Sequence, residues 1–394
     1  MSNVTAELKA AAESAIRGEA EPLQRLSHAI HGAPELAFEE HRAASAIQEF
    51  LEERRIVVKR PAYGLDTALC AQLGTGDPVV AICAEYDALP GVGHACGNNI
   101  IAAAAVGAFL GLDAVSANLK VAVRLLGTPA EEAGNGAGKI LMLERGAFDG
   151  VSAAMMIHPG PFDVLRPLMI AAAQFEVEYR GRESHAAFYP ELGVNAADAL
   201  TIAQVAMAFL RQSLNATDRL HGIVTDGGAA PNIIPARSAG RFMVRAQTSS
   251  DLEPLLKRVM ACFEAGALAT GADLHVAGGD QPYAHVAHNH VLAEAFRGNA
   301  ERLGRHFAAG PDDGRPSGST DMGNVSLLVP SIHPFIGIES WPAVNHQPDF
   351  AAHCITPPAD RAVIDGAIAM AWTVIDAAEA DNLDAWLRGD DVEA

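Results

Sequence analysis

Apolar and polar residues alternate at three- and four-residue spacing through residues 4–55, by way of Ala43-Ala44, Ile47 and Phe50-Leu51, which predicts helix. The β-branched run Ile56-Val57-Val58 then predicts the start of a strand. Strands are expected at 68–73 and 78–84, joined by the turn Gly74-Thr75-Gly76-Asp77. The second is apolar throughout, as a central strand covered on both faces would be. A Gly-rich loop follows, then an Ala/Leu-rich buried helix at 100–112, a strand at 120–127, a helix at 136–146 and a strand at 153–157. Three of these strands lead into polar residues: Glu85-Tyr86-Asp87, Glu131-Glu132 and His158. Open α/β sheets bind ligands beyond the carboxyl ends of their strands, so the pattern points to one shared site.

From about Met169 the pattern changes. Residues 174–180 alternate like a strand with one wet face, and 195–211 reads as a long helix. Strands are expected at 221–224 and 239–246, a second helix at 252–270 and a last strand at 273–277. Strand-helix-strand-strand-helix-strand is the order of a small ferredoxin-like α+β unit. It reads as an insertion at 170–288 in a first domain made of 1–169 and 289–394, whose end, 357–387, is an Ala-rich amphipathic helix. At 394 residues the chain exceeds what one compact core usually holds, in keeping with two domains.

The net charge of −20 argues against nucleic acid as a partner, since such a surface repels phosphate backbones. The five cysteines are odd in number and widely spaced, with no CxxC pair, which fits a reducing cytoplasm better than a disulfide framework. No apolar signal core opens the chain and no run of about 18 apolar residues occurs, so no membrane span is expected.

Cys96, the adjacent Glu131 and Glu132, His158 and His346 form a ligand set suited to a divalent transition metal, zinc or manganese. Of two neighbouring glutamates, one can bind metal while the other stays free as a base, the minimum equipment for metal-assisted hydrolysis. Against this, paired carboxylates also suit an ordinary helix N-terminus, and a lone Cys is commonly a small buried hydrophobe. Cys96 sits in a Gly-flanked loop that gives it little apolar packing. His333 competes with His346 and otherwise has a supporting role, while His94 either orients the Cys96 loop or supplies a replacement ligand. Gly227-Gly228 lacks the Lys-Ser/Thr of a P-loop and is not a phosphate site.

The chain resembles the M20 metallopeptidase family over nearly its whole length, nearest its amidohydrolase branch of aminobenzoyl-glutamate hydrolases and M20-domain-containing dipeptidases. The resemblance runs through His31-Gly32-Ala33-Pro34-Glu35-Leu36, Glu85-Tyr86-Asp87-Ala88-Leu89-Pro90 and Gly93-His94-Ala95-Cys96-Gly97-Asn98-Asn99. It continues through Gly127-Thr128-Pro129-Ala130-Glu131-Glu132, Ser184-His185-Ala186, the segment from Thr225 to Pro235 and Gly318-Ser319-Thr320-Asp321-Met322-Gly323-Asn324. It implies a zinc-peptidase-like α/β catalytic domain with a mixed, mostly parallel sheet, plus an inserted ferredoxin-like domain that serves as lid and dimerisation unit. It implies a homodimer that hydrolyses amide bonds of small N-acyl or aryl amino acids or dipeptides. Carried over by position, Cys96 is the bridging metal ligand, Glu131 the general base, and Glu132, His158 and His346 further ligands. His185 is implied to reach a neighbouring subunit's site and stabilise the oxyanion, and Asn232 to help bind the substrate's polar end. The branch places a histidine ligand where this chain has Asn98, a neutral amide that substitutes poorly for imidazole, so one or two ions per chain are expected. Two other readings follow from Asn98: a single-metal hydrolytic deaminase of an aromatic amine, and a non-catalytic ligand-binding member.

Overall fold

The computed structural model describes residues 3–307 and 316–389. Its centre is a five-stranded sheet in which Leu69–Leu73, Ala122–Gly127, Val79–Ala84, Val151–Met155 and Ser331–Ile332 lie side by side in that order. Leu69–Leu73 runs antiparallel at one edge, and the remaining pairs are parallel. The sheet is therefore mixed and mostly parallel, as expected. Because the strands preceding Glu85, Glu131 and His158 are mutually parallel neighbours, their carboxyl ends deliver these residues to one edge.

Strand Val79–Ala84 is buried at every position. Val80, Ile82 and Ala84 pack into one core and Val79, Ala81 and Cys83 into another, because successive side chains point to opposite faces. The first core is closed by Asn98–Asp113 and Pro357–Ala378. Asn98–Asp113 is buried from Asn98 to Leu112, and small residues permit that: a Cβ on Gly107 would meet Leu23 and Ala367 at 2.9 and 3.0 Å.

The second body is a four-stranded antiparallel sheet of Asp273–Gly278, Ala171–Arg180, Arg237–Ala246 and Arg219–Asp226, in spatial order. Helices Ala196–Leu210 and Ser249–Thr270 cover one face, their buried residues joining Phe175, Phe242 and Phe263 in a separate core. The βαββαβ order and this strand arrangement are those of the expected ferredoxin-like unit.

Two local expectations fail, and the connection at 74–77 is not a hairpin. Ile56-Val57-Val58 forms no strand, because pairing there is confined to an isolated bridge between Lys59 and Cys70. The two strands flanking Gly74–Asp77 are consecutive in sequence but do not pair; Ala122–Gly127 lies between them. The last helix breaks into Pro357–Ala378 and Leu383–Arg388, the second begun by the Asn382 side chain accepting from the Ala385 amide at 3.0 Å.

Candidate metal and hydrolytic site

Cys96 occupies a loop shaped by glycine. Gly97 has φ +82°, and a Cβ there would stand 2.3 Å from Pro159 Cγ, so only glycine lets the loop close against the segment that carries His158. His346 is held in the left-handed region at φ +70°, with its amide donating to the Ala95 carbonyl at 2.8 Å. A non-glycine residue persists there only where its surroundings fix it, which is common at functional positions. The Cys96 sulfur lies 3.6 Å from His158 Nε2 and 3.5 Å from His346 Nε2. Ligand atoms of Cys96, Glu132 and His346 all fall within 4.8 Å of one another. The four expected ligand positions thus gather in one place.

Glu131 and Glu132 follow a tight entry, with Ala130 at φ +60° and its amide donating to Glu40 Oε1 at 2.9 Å. The Glu132 amide donates to Asp87 Oδ2 at 2.8 Å, so the two side chains diverge from a turn fixed from below. Glu131 faces a second cluster: its carboxylate and those of Glu85 and Asp321 lie within 4.8 Å of one another, all buried. That cluster already holds a cation, because the fully buried Lys139 ammonium contacts Glu85 and lies 2.6 Å from Asp321 Oδ1. Removing one partner of such a buried pair typically costs about 3–5 kcal/mol.

Burial dominates the electrostatics. It pushes the Cys96 thiol and the Glu131 carboxyl well up, with neighbouring carboxylates adding to it. Burial and Asp87 lift Glu132 to about 8, while burial pulls His158 down to about 4. Burial thus disfavours the charged form of each of these groups.

Asn98 opens its helix beside this set, but its side-chain NH2 is committed to Asp87, 3.0 Å from the backbone carbonyl and 3.1 Å from Oδ1. His94 packs against His31 with ring centroids 6.0 Å apart and lies outside the donor group. His333 is fully buried behind His158, ring centroids 5.4 Å apart, and does not line the cavity on which the donors open.

The donors open on a cavity of about 460 Å³. Its far wall comes from the antiparallel sheet, which contributes Gln174, His221, Met243 and Arg245. On the same sheet, Arg245 lines the cavity and donates to Ser319 Oγ at 2.8 Å, whereas Arg237 is paired with Glu178 and Asp226. His185 and Asn232 are exposed and do not line the cavity; they sit together, with the Ala186 amide donating to the Asn232 carbonyl at 3.0 Å.

Sequence reading gave no role to Lys139, Asp321 or Tyr283. A lone lysine in the apolar stretch 137–143 was the available signal for the first. Tyr283 carried none, since its importance lies in a contact across 152 residues with the Glu131 carbonyl.

The Peptidase dimerisation domain model matches residues 171–270. Over 386 residues the chain is 39% identical to Xaa-Arg dipeptidase of Mus musculus, covering 94% of this chain and 88% of the relative. The chain belongs to the M20 metallopeptidase family. It is a metal-dependent amide hydrolase of that family. It is also 31% identical to one of the subunits of p-aminobenzoyl-glutamate hydrolase of Escherichia coli, over 66% of this chain and 58% of that protein. The fold matches the crystal structure of a Bacillus subtilis protein described as a dinuclear metal binding peptidase from the M20 family. That match has a TM-score of 0.69 at 24% identity, covering 92% of this chain and 99% of the other. No helix among the described residues is long and apolar enough to cross a membrane.

Proposed function

We propose that this M20 hydrolase cleaves the amide bond of a small carboxylate-bearing substrate, a dipeptide or an N-acyl or aryl amino acid, with Glu131 as general base. One observation carries the reading: Cys96, Glu132, His158, His346, Glu131 and Arg245 all face a single cavity of about 460 Å³. The donors suit a divalent ion. Glu132 has a buried oxygen without a hydrogen-bond partner, and the Cys96 sulfur has imidazole nitrogens as its neighbours. Thiolate and imidazole together favour zinc over manganese. An ion held there supplies Lewis-acid polarisation of the scissile carbonyl and a lowered water pKa.

Glu131, whose proton affinity is raised by burial and by nearby carboxylates, takes the proton of the attacking water and returns it to the leaving nitrogen. Arg245 receives the substrate carboxylate in a charge-assisted hydrogen bond. The names Xaa-Arg dipeptidase and p-aminobenzoyl-glutamate hydrolase both describe an amide formed by an amino acid, which supports this substrate class. A second ion would need Asn98, whose amide is turned to Asp87, so one tightly held ion per chain is the reading we adopt.

A homodimer is part of the proposal. Strand Arg219–Asp226 is a sheet edge with Ile223 and Val224 exposed, and helix Ala196–Leu210 exposes Val205 and Phe209. An open apolar edge of this kind is normally covered. Pairing across it would let His185 and Asn232 serve a neighbouring copy's cavity, His185 as oxyanion donor. The five free thiols favour a reducing cytoplasm.

The test is to incubate zinc-loaded protein with dipeptides ending in arginine and with N-acyl amino acids, and to measure amine release. Release that stops on chelation is the expected result. Ammonia release without amide cleavage would favour deamination, and metal-loaded protein without any product would favour a pure binder.

A further inference from the structure

We propose that Tyr283 and Asn135 are positioning residues: they fasten the turn bearing Glu131 and Glu132 to the strand crossings between the two sheets. The inference rests on the reading of Glu131 as base and Glu132 as ligand.

The chain enters the antiparallel sheet at Ala171–Arg180 and leaves it after Asp273–Gly278. The two crossings are tied to each other: the Ala172 amide donates to the Tyr283 carbonyl at 3.0 Å, and the Tyr283 amide donates to the Ala172 carbonyl at 2.8 Å. From this junction the buried Tyr283 phenol reaches the catalytic turn. Its hydroxyl donates to the Glu131 carbonyl and accepts from the Gly134 amide at 2.9 Å. Asn135, in the same turn, grips the returning segment. Its Oδ1 accepts from the Gly279 amide at 3.0 Å and the Gln281 amide at 3.3 Å. The Gly136 amide closes the contact on the Gln281 carbonyl at 3.4 Å.

The turn needs such support. Its only helical order is the single 3-10 turn Glu131–Ala133, entered through Ala130 at φ +60° and left through Gly134 at φ +74°. Left-handed backbone at alanine is costly and is kept only by surrounding contacts. Glu40 and Asp87 hold the turn from the mostly parallel sheet's side, through the Ala130 and Glu132 amides. Tyr283 and Asn135 hold it from the crossings. Any rotation of the antiparallel sheet about these crossings therefore pulls on the backbone that aims both glutamates.

Tyr283→Phe deletes one oxygen and keeps the ring. In the zinc-loaded full chain with an arginine-ending dipeptide, kcat is expected to fall about 10–100-fold with KM within about twofold, the scale for outer groups that orient metal ligands. Zinc affinity, read without substrate by competition with a chromogenic chelator, is expected to fall on the same scale while Tm stays near wild type. Asn135→Ala should act in the same direction, and the double variant should lose less than the product of the two. Unchanged kcat and zinc affinity in both single variants, or a lower Tm with both constants kept, would overturn the proposal. The chelator arm reports the ligand set that includes Glu132 and not the base, so it stands even if Glu131 is shown not to be the base.

Discussion

The Asn98 side-chain NH2 lies 3.0 Å from the backbone carbonyl of Asp87 and 3.1 Å from its Oδ1, and the other Asp87 oxygen accepts the Glu132 amide at 2.8 Å. Where the family pattern has an imidazole, this chain has a structural link between the Cys96 loop and the Glu132 turn. The Asn98 Oδ1 is buried without a hydrogen-bond partner, but as a neutral amide oxygen it is a weak ligand for zinc. Elemental analysis of protein purified without chelator should therefore find about one zinc per chain, and Asn98→His should bring it toward two by adding the better ligand. Two ions in the unaltered chain would remove this distinction.

Arg245 lines the cavity and Arg237 is held by Glu178 and Asp226 on the sheet surface. Arg245→Ala should raise KM roughly 10–100-fold for a substrate with a free carboxylate, the scale of a lost charge-assisted hydrogen bond. The same substrate blocked as an amide should gain no advantage from the arginine. Arg237→Ala should leave kcat/KM within about twofold. Steady-state kinetics of the wild type and both variants on both substrates checks this.

The pH response of the ion-free protein follows from two buried carboxyls. Burial raises Glu40 to about 7, and it raises Asp87 to about 7 from ordinary values of 4.5 and 3.8. Both bind protons in the folded state that the unfolded chain has already released, so their contribution is complete near pH 4, is lost as pH rises to about 7 and changes little above it. Burial lowers His158 to about 4, which has the opposite sign and weakens the fold below about pH 6. Ion-free Tm should thus fall from about pH 4 to about 7, most steeply above about pH 6 where His158 no longer opposes the trend, and level off beyond. Zinc needs deprotonated ligands, so the stabilisation it adds should grow over the same range. Parallel melting curves with and without zinc check both slopes.

Much of the fold was legible because its signals are local. The unbroken apolar run at 79–84 betrayed a central strand, and alternation at 174–180 betrayed a sheet with one wet face. What escaped depends on tertiary context. Ile56-Val57-Val58 has strand composition, but pairing beside it is limited to the bridge from Lys59 to Cys70 of the edge strand. Nothing between residues 74 and 77 announces that a third strand will lie between its flanks. The proposed ligand set stood out in the sequence because thiol, imidazole and paired carboxylate are chemically distinctive. Lys139 and Tyr283 did not, since their roles come from atoms far away in sequence: Asp321 for one and the Glu131 carbonyl for the other.

The central claim is that Glu131 moves the proton while its neighbours hold the ion, and it is tested most directly by Glu131→Gln. Turnover of an arginine-ending dipeptide and zinc content should be measured on the same preparation. A loss of kcat of about 10²–10⁴-fold or more with zinc content unchanged is the expected result. Turnover within a few-fold of wild type at full zinc loading would contradict it.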